Sequence, residues 1–193
     1  MRRLAESYHV ELLNRPLAPE TGDRLEECLA ALAGSGHAVH LSYMVSRNPV
    51  PIKLDVNLPL EQVGGFLDKL PWIGHFPGLQ QRLRGCMPWN GSVQLNLILN
   101  AAADQPLEVE FMTTPGECTF AERLAFLEMM AERGLCTGAK AQVLAEISKR
   151  SGRAEPIGPG IEFIANWYAK IRFQGDRPAE AKAYLGIKPP RAG

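Results

Sequence analysis

Four pairs of polar residues stand two positions apart: Lys53 with Asp55, Glu108 with Glu110, Lys170 with Arg172, and Lys182 with Tyr184. In an extended chain, side chains at i and i+2 share a face, so each pair presents its functional groups together. Lys170, Arg172 and Lys182, with the hydroxyl of Tyr184, are groups that bind an anion. Glu108 or Glu110 can act as a base or orient a polar substrate. The same alternation is also what the solvated face of an ordinary antiparallel sheet requires. The two meanings differ only in whether the strands lie side by side, and spacing is silent on that.

Other constellations are weaker. His37-x-x-His40 has metal-ligand spacing on a helix, but the segment reads as a strand, where the two rings would point to opposite faces. No metal is expected. His9 and His75 have no partners by spacing. Cys118 and Cys136 stand just before predicted helix starts, where a thiolate is favoured, yet no histidine lies near them in sequence. The four cysteines (Cys28, Cys86, Cys118 and Cys136) form no CxxC pair, and read as small semi-buried hydrophobes. No Walker loop, GxSxG elbow or GxGxxG occurs, and no cofactor is expected. Trp72, Trp89 and Trp167 stand beside turns or strand ends, as core lids or as an apolar contact patch.

The elements that must position these residues follow from periodicity. Period-two alternation predicts strands at 39–46, 52–58, 93–100, 107–113, 161–173 and 180–187. In the first, Val39, Leu41, Tyr43 and Val45 alternate against His40, Ser42, Met44 and Ser46. Helical spacing predicts helices near 60–70, 79–86, 119–133 and 139–150, and another on Leu25, Cys28, Leu29 and Leu32 capped by Thr21 or Asp23. Thr119-x-x-Glu122 is a capping box and Thr137 a second cap. Residues 151–160, SGRAEPIGPG, read as a linker or mobile loop.

Two rounds of strand–strand–helix–helix and a closing strand pair define an α+β fold. It is an antiparallel sheet of about six strands built from repeated ββαα units, with helices on one face. Whether the sheet is flat or curls into a partial barrel stays open. Residues 18–193 form one domain, and 1–17 are an N-terminal lead, flexible or a single edge strand.

Composition narrows the class. Lys+Arg and Asp+Glu both number 21 in 193 residues, and no basic run appears, which argues against nucleic acid. No window approaches the ~20 apolar residues of a membrane span. The start carries no apolar core with a cleavage site, so the cytoplasm is the expected location.

Two resemblances add expectations. GLCTGAK (134–140), WYAKIRF (167–173) and PAEAKAYLGIKP (178–189), and loosely SYMVSRNPVPIKLDV (42–56), resemble a group of uncharacterised bacterial proteins that end in a K-I…P…EAKAYLG strand pair. That likeness implies a bacterial cytosolic origin and no activity. Lys182-Ala183-Tyr184, and less closely Lys170-Ile171-Arg172, resemble the Lys-x-Tyr strands of α-β-β-α barrel aromatic prenyltransferases. That resemblance implies a diphosphate-binding barrel interior, although such barrels use ten strands.

Three functions remain. The first is a non-enzymatic binding protein that holds a peptide or protein on its polar face or an edge strand. The second is a transferase-like enzyme for an anionic, diphosphate-bearing substrate. The third is a structural subunit of a homodimer. The candidate residues are Lys53, Glu108, Glu110, Lys170, Arg172, Lys182 and Tyr184.

Overall fold

The computed structural model describes residues 2–188 except 75, 77, 88–90, 101–106, 113–117, 152–153, 159–160 and 175–176; side chains are also left aside at 112, 154–158, 161–165 and 187–188. In chain order the elements are α1 (Arg2–Leu13), α2 (Pro19–Leu32), β1 (His37–Tyr43), β2 (Ile52–Pro59), α3 (Val63–Leu67), α4 (Leu79–Cys86), β3 (Ser92–Ile98) and β4 (Leu107–Met112). They continue with α5 (Phe120–Glu132), α6 (Gly138–Arg150), β5 (Ala154–Gly158), β6 (Ile161–Gln174) and β7 (Arg177–Lys188).

The strands form one antiparallel sheet in the order β1-β2-β3-β4-β6, with β5 and β7 both paired to β6. β1 and β7 do not pair with each other, so the sheet is open. One face carries Leu54, Val56, Leu95, Leu97, Val109, Phe111, Trp167 and Ile171, all buried. They join Leu25 and Cys28 of α2, Leu83 of α4, Phe126 of α5 and Leu144 of α6 in a single core. The helices therefore lie on that face. The alternation that the sequence carries is the reason, because it commits every strand to one apolar side.

Local rules explain the best-defined helices. Thr119 Oγ1 accepts from the Glu122 backbone N–H at 3.2 Å, and Glu122 Oε2 accepts from the Thr119 N–H at 2.6 Å. This is the expected capping box, and α5 stops before Gly134, whose φ of +68° favours glycine. Thr137 caps α6 by accepting from the Lys140 N–H at 3.3 Å.

Several expectations are corrected. Residues 2–13 are a helix, not a lead or an edge strand; Ala5 and His9 are buried, and Tyr43 donates to the Ala5 carbonyl at 2.9 Å. α2 begins at Pro19 after Ala18 with no side-chain cap, in place of a start at Thr21 or Asp23. A proline in the first turn is preset for the helix and loses no needed N–H. The helix expected at 60–70 is a 3-10 turn, Leu60–Gln62, followed by the five residues of α3; paired glycines at 64 and 65 weaken a longer helix. Part of the presumed linker, Ala154–Gly158, is the extra strand β5, paired antiparallel to β6. Trp89 and His75 lie outside the described residues.

One irregularity shapes the site. A bulge between Ala38 and His40 shifts the register of β1 on β2, pairing His37 with Asn57, Ala38 with Val56 and His40 with Asp55. Val39 is the extra residue and stays exposed, so the simple alternation predicted for this strand fails. His37 and His40 consequently share the polar face; opposite faces would have required an unbroken strand. Gly36 makes this close pairing possible, since a Cβ there would collide with the Asn57 carbonyl oxygen.

Candidate functional site

The face without helices carries every residue that the spacing picked out. Cross-strand register builds two rows. One runs His40, Asp55, Asn96, Glu108, Arg172, Glu180, and the other Asn57, Gln94, Glu110, Lys170, Lys182. Tyr168 and Tyr184 pair beyond the second row, and their rings stack at 4.9 Å, 8° from parallel. Lys53 stands below Asp55 on β2.

The charges along these rows compensate one another. Lys170 Nζ lies 2.6 Å from Glu110, 3.5 Å from Glu108 and 2.5 Å from Asn96 Oδ1, spanning β4 to reach the amide. Arg172 contacts Glu108 at 3.0 Å and Glu180 at 3.2 Å, and Lys182 contacts Glu180 at 3.2 Å. Gln94 donates to Glu110 at 3.1 Å. Lys53 Nζ is 3.2 Å from Asp55 Oδ1, and His40 Nε2 contacts Asp55 Oδ2. Four carboxylates thus face four cations, the imidazole aside. Between Glu108, Lys170, Arg172, Glu180 and Lys182 there is only a dimple of about 10 Å³, about the room one water needs.

Burial here exceeds what a solvated sheet face allows. Asp55 is 0% exposed and Asn96 3%, and Glu110 is buried as well. Asp55 Oδ1 and Oδ2, Asn57 Oδ1 and Asn96 Nδ2 have no hydrogen-bond partner among the described residues, although both Asp55 oxygens are in ion contact. Each of the two amide atoms costs about 1–3 kcal/mol when left unmatched.

The titrations follow from this geometry. Burial pushes the Asp55 carboxyl above its ordinary 3.8, outweighing the pull of Lys53 and His40 in the other direction. The folded state then holds the Asp55 proton more tightly than the unfolded chain does. Stability falls as pH rises from 3.8 through the folded value. Asp55→Asn cannot ionise. It should match the wild type below that window and be the more stable protein above it, as read by urea unfolding near pH 3 and near pH 7. A deficit at neutral pH would show that the pairs with Lys53 and His40 outweigh the burial cost.

His40, Tyr168 and Glu180 belong to the face without having been singled out as candidates. Asp55, Asn57, Gln94 and Asn96 belong to it as well, as the alternation of β2 and β3 requires. The signal was present, because Glu180 and Tyr168 alternate in step with the candidates of their own strands and His40 stands opposite the apolar set of β1. The cysteines fall outside the site. Cys118 is buried, and burial pushes the Cys136 thiol up, away from the thiolate a nucleophile needs. Among the described residues no cluster of three or more His, Cys, Asp or Glu could hold a metal. No described helix is long and apolar enough to cross a membrane.

No protein-family model, no curated protein and no solved structure matches the chain. What the fold and site define is a class alone: an open antiparallel α+β sheet with a charge-compensated polar face left uncovered by its helices.

Proposed function

We propose that the chain is a binding protein with no reaction of its own, whose uncovered polar sheet face seats an extended peptide. The observation that carries this reading is the set of buried polar atoms at Asp55, Asn57 and Asn96 without a hydrogen-bond partner among the described residues, the Asp55 oxygens holding ion contacts alone. A peptide backbone supplies N–H donors for the carboxylate and amide oxygens and a carbonyl for the Asn96 amide. The balanced charge of the rows fits the same occupant. Neither a strongly acidic nor a strongly basic ligand gains from it, whereas a segment of mixed charge does.

The test is a melting-temperature screen of short mixed-charge peptides, followed by affinity measurements on any that stabilise. Asp55→Asn is expected to stay folded and to weaken a true hit by about tenfold or more, roughly 1.4 kcal/mol. A screen without a hit, or hits indifferent to Asp55→Asn, would sink the reading.

A second reading is favoured by one contact. Lys170 Nζ lies 5.7 Å from the centre of the Tyr184 ring, next to the exposed Lys182, which is the Lys–Tyr grouping of the diphosphate-binding resemblance. It predicts stabilisation by pyrophosphate and dimethylallyl diphosphate, worth about 2.7 kcal/mol at one hundred times the dissociation constant. Lys182→Ala should abolish that stabilisation. Lys182 is the residue to change, since it is half-exposed, whereas Lys170 is embedded in the network.

A further inference from the structure

β7 is the longest open edge of the sheet. It pairs with β6 over Arg177–Lys188, and among the described residues nothing pairs with its other side. Natural edges are shielded by charge, proline, bulges or covering segments. Here Pro178 and a register shift near Arg172–Phe173 protect only the beginning of the strand. From Glu180 onward the register is regular, and between Glu180 and the final lysine only Lys182 is charged. On the helix side, Ala181, Ala183 and Leu185 continue the rows of Ile171, Ala169 and Trp167. Yet Ala183 is exposed and Leu185 is 61% exposed, the highest value among the large apolar residues. α6 covers β6, where Trp167 donates to Ser148 at 2.8 Å, and leaves Ala183 and Leu185 of β7 exposed.

We propose that a second copy of the chain covers this edge, the two β7 strands pairing antiparallel about a two-fold axis at Tyr184. The regular stretch, Glu180–Lys188, is centred on that residue. A two-fold there sets Ala183 opposite Leu185 of the second copy and Lys182 opposite Gly186. A small residue thus meets a large one on the helix side, and no like charges meet along the polar side. An axis at Lys182 would oppose two ammonium groups. An axis at Ala183 would run the pairing back toward the irregular start of the strand. The chain has zero net charge, so two copies approach without long-range repulsion. The two Tyr184 rings meet at the axis, which makes the polar face continuous and gives it groups from both chains. This inference goes beyond the proposed function and stands without it.

Sedimentation equilibrium at micromolar concentration is expected to give twice the chain mass of 21.2 kDa, with an edge-to-edge dimer buried across Leu185. Ala183→Lys/Leu185→Lys opposes lysines across the axis and should give the single mass with an unchanged circular dichroism spectrum. Ala183→Lys/Leu185→Glu places opposite charges in the same register and should restore the dimer. A wild-type monomer overturns the proposal. So does a dimer indifferent to the lysine pair, and so does a charge swap that fails to restore association, which would reject the Tyr184 register. A β7 edge protected from hydrogen exchange only in the presence of an added peptide would assign it to a different partner.

Discussion

Lys170→Met is expected to lower the unfolding free energy by about 3–5 kcal/mol, the cost typical of breaking a buried ion pair from one side. The Lys170 side chain is 12% exposed, and its ammonium holds Glu110 at 2.6 Å and Glu108 at 3.5 Å while donating to Asn96. Removing it leaves a buried carboxylate facing a second one along β4, with Asn96 Oδ1 newly without its donor. Glu110→Gln added to Lys170→Met should recover more than half of the loss, because the stranded charge is then gone. Urea unfolding of the four proteins in this cycle measures both numbers. A loss near zero in the single variant would mean that water reaches the pair and screens it.

The same network sets a pH window. Burial alone would lower the Lys170 pKa, but its bond to Glu110 and the charges of Glu110 and Glu108 outweigh it, and the net shift is upward. Its contribution to stability is therefore complete below the ordinary 10.5 and is lost as pH rises through the folded value. Glu108 runs the other way. Burial would raise its pKa, but Arg172 and Lys170 prevail and lower it. Its contribution is present above the ordinary 4.5 and is lost as pH falls through the folded value.

Phe126→Ala should cost about as much, roughly 3–5 kcal/mol, by a different mechanism. Phe126 of α5 is fully buried, with the Phe111 ring of β4 at 5.4 Å and the Trp167 ring of β6 at 6.3 Å. It joins the helix layer to the two strands that carry Glu108, Glu110, Lys170 and Arg172. Truncation leaves a cavity that these rigid rings cannot close, and it removes two aromatic contacts. Phe126→Leu keeps most of the volume and should cost less than half as much. Thermal and urea unfolding of both variants gives the comparison, and equal losses would mean that the aromatic contacts, not the volume, hold the joint. This change should also loosen the polar face, since Phe126 packs α5 against both β4 and β6.

Much of the architecture was legible because it is written in local rules. The Thr119-x-x-Glu122 box and Thr137 placed the caps of two helices. Strict alternation in β3 and β4 placed Glu108 and Glu110 on one side and Val109 and Phe111 on the other. Lys53, Lys170, Arg172, Lys182 and Tyr184 share the polar face for the same reason. Where local signals are weak, the reading departed from the fold. Arg2–Leu13 has little apolar pattern of its own and is helical through packing on α2. Ala154–Gly158 contains a proline and a glycine and reads as a loop, yet the long β6 offers it an edge to pair with.

The amino-acid sequence by itself determined the helix starts, the apolar face of each strand and the zero net charge, because each depends on residues a few positions apart. Only the tertiary structure decided which candidates touch. Strand order puts Lys170 between Glu108 and Glu110, and the register of β1 on β2 brings His40 onto Asp55. The open edge of β7 leaves Leu185 to the solvent. These are pairings between residues distant in the chain, set by register and burial together, and no spacing within a single strand encodes them.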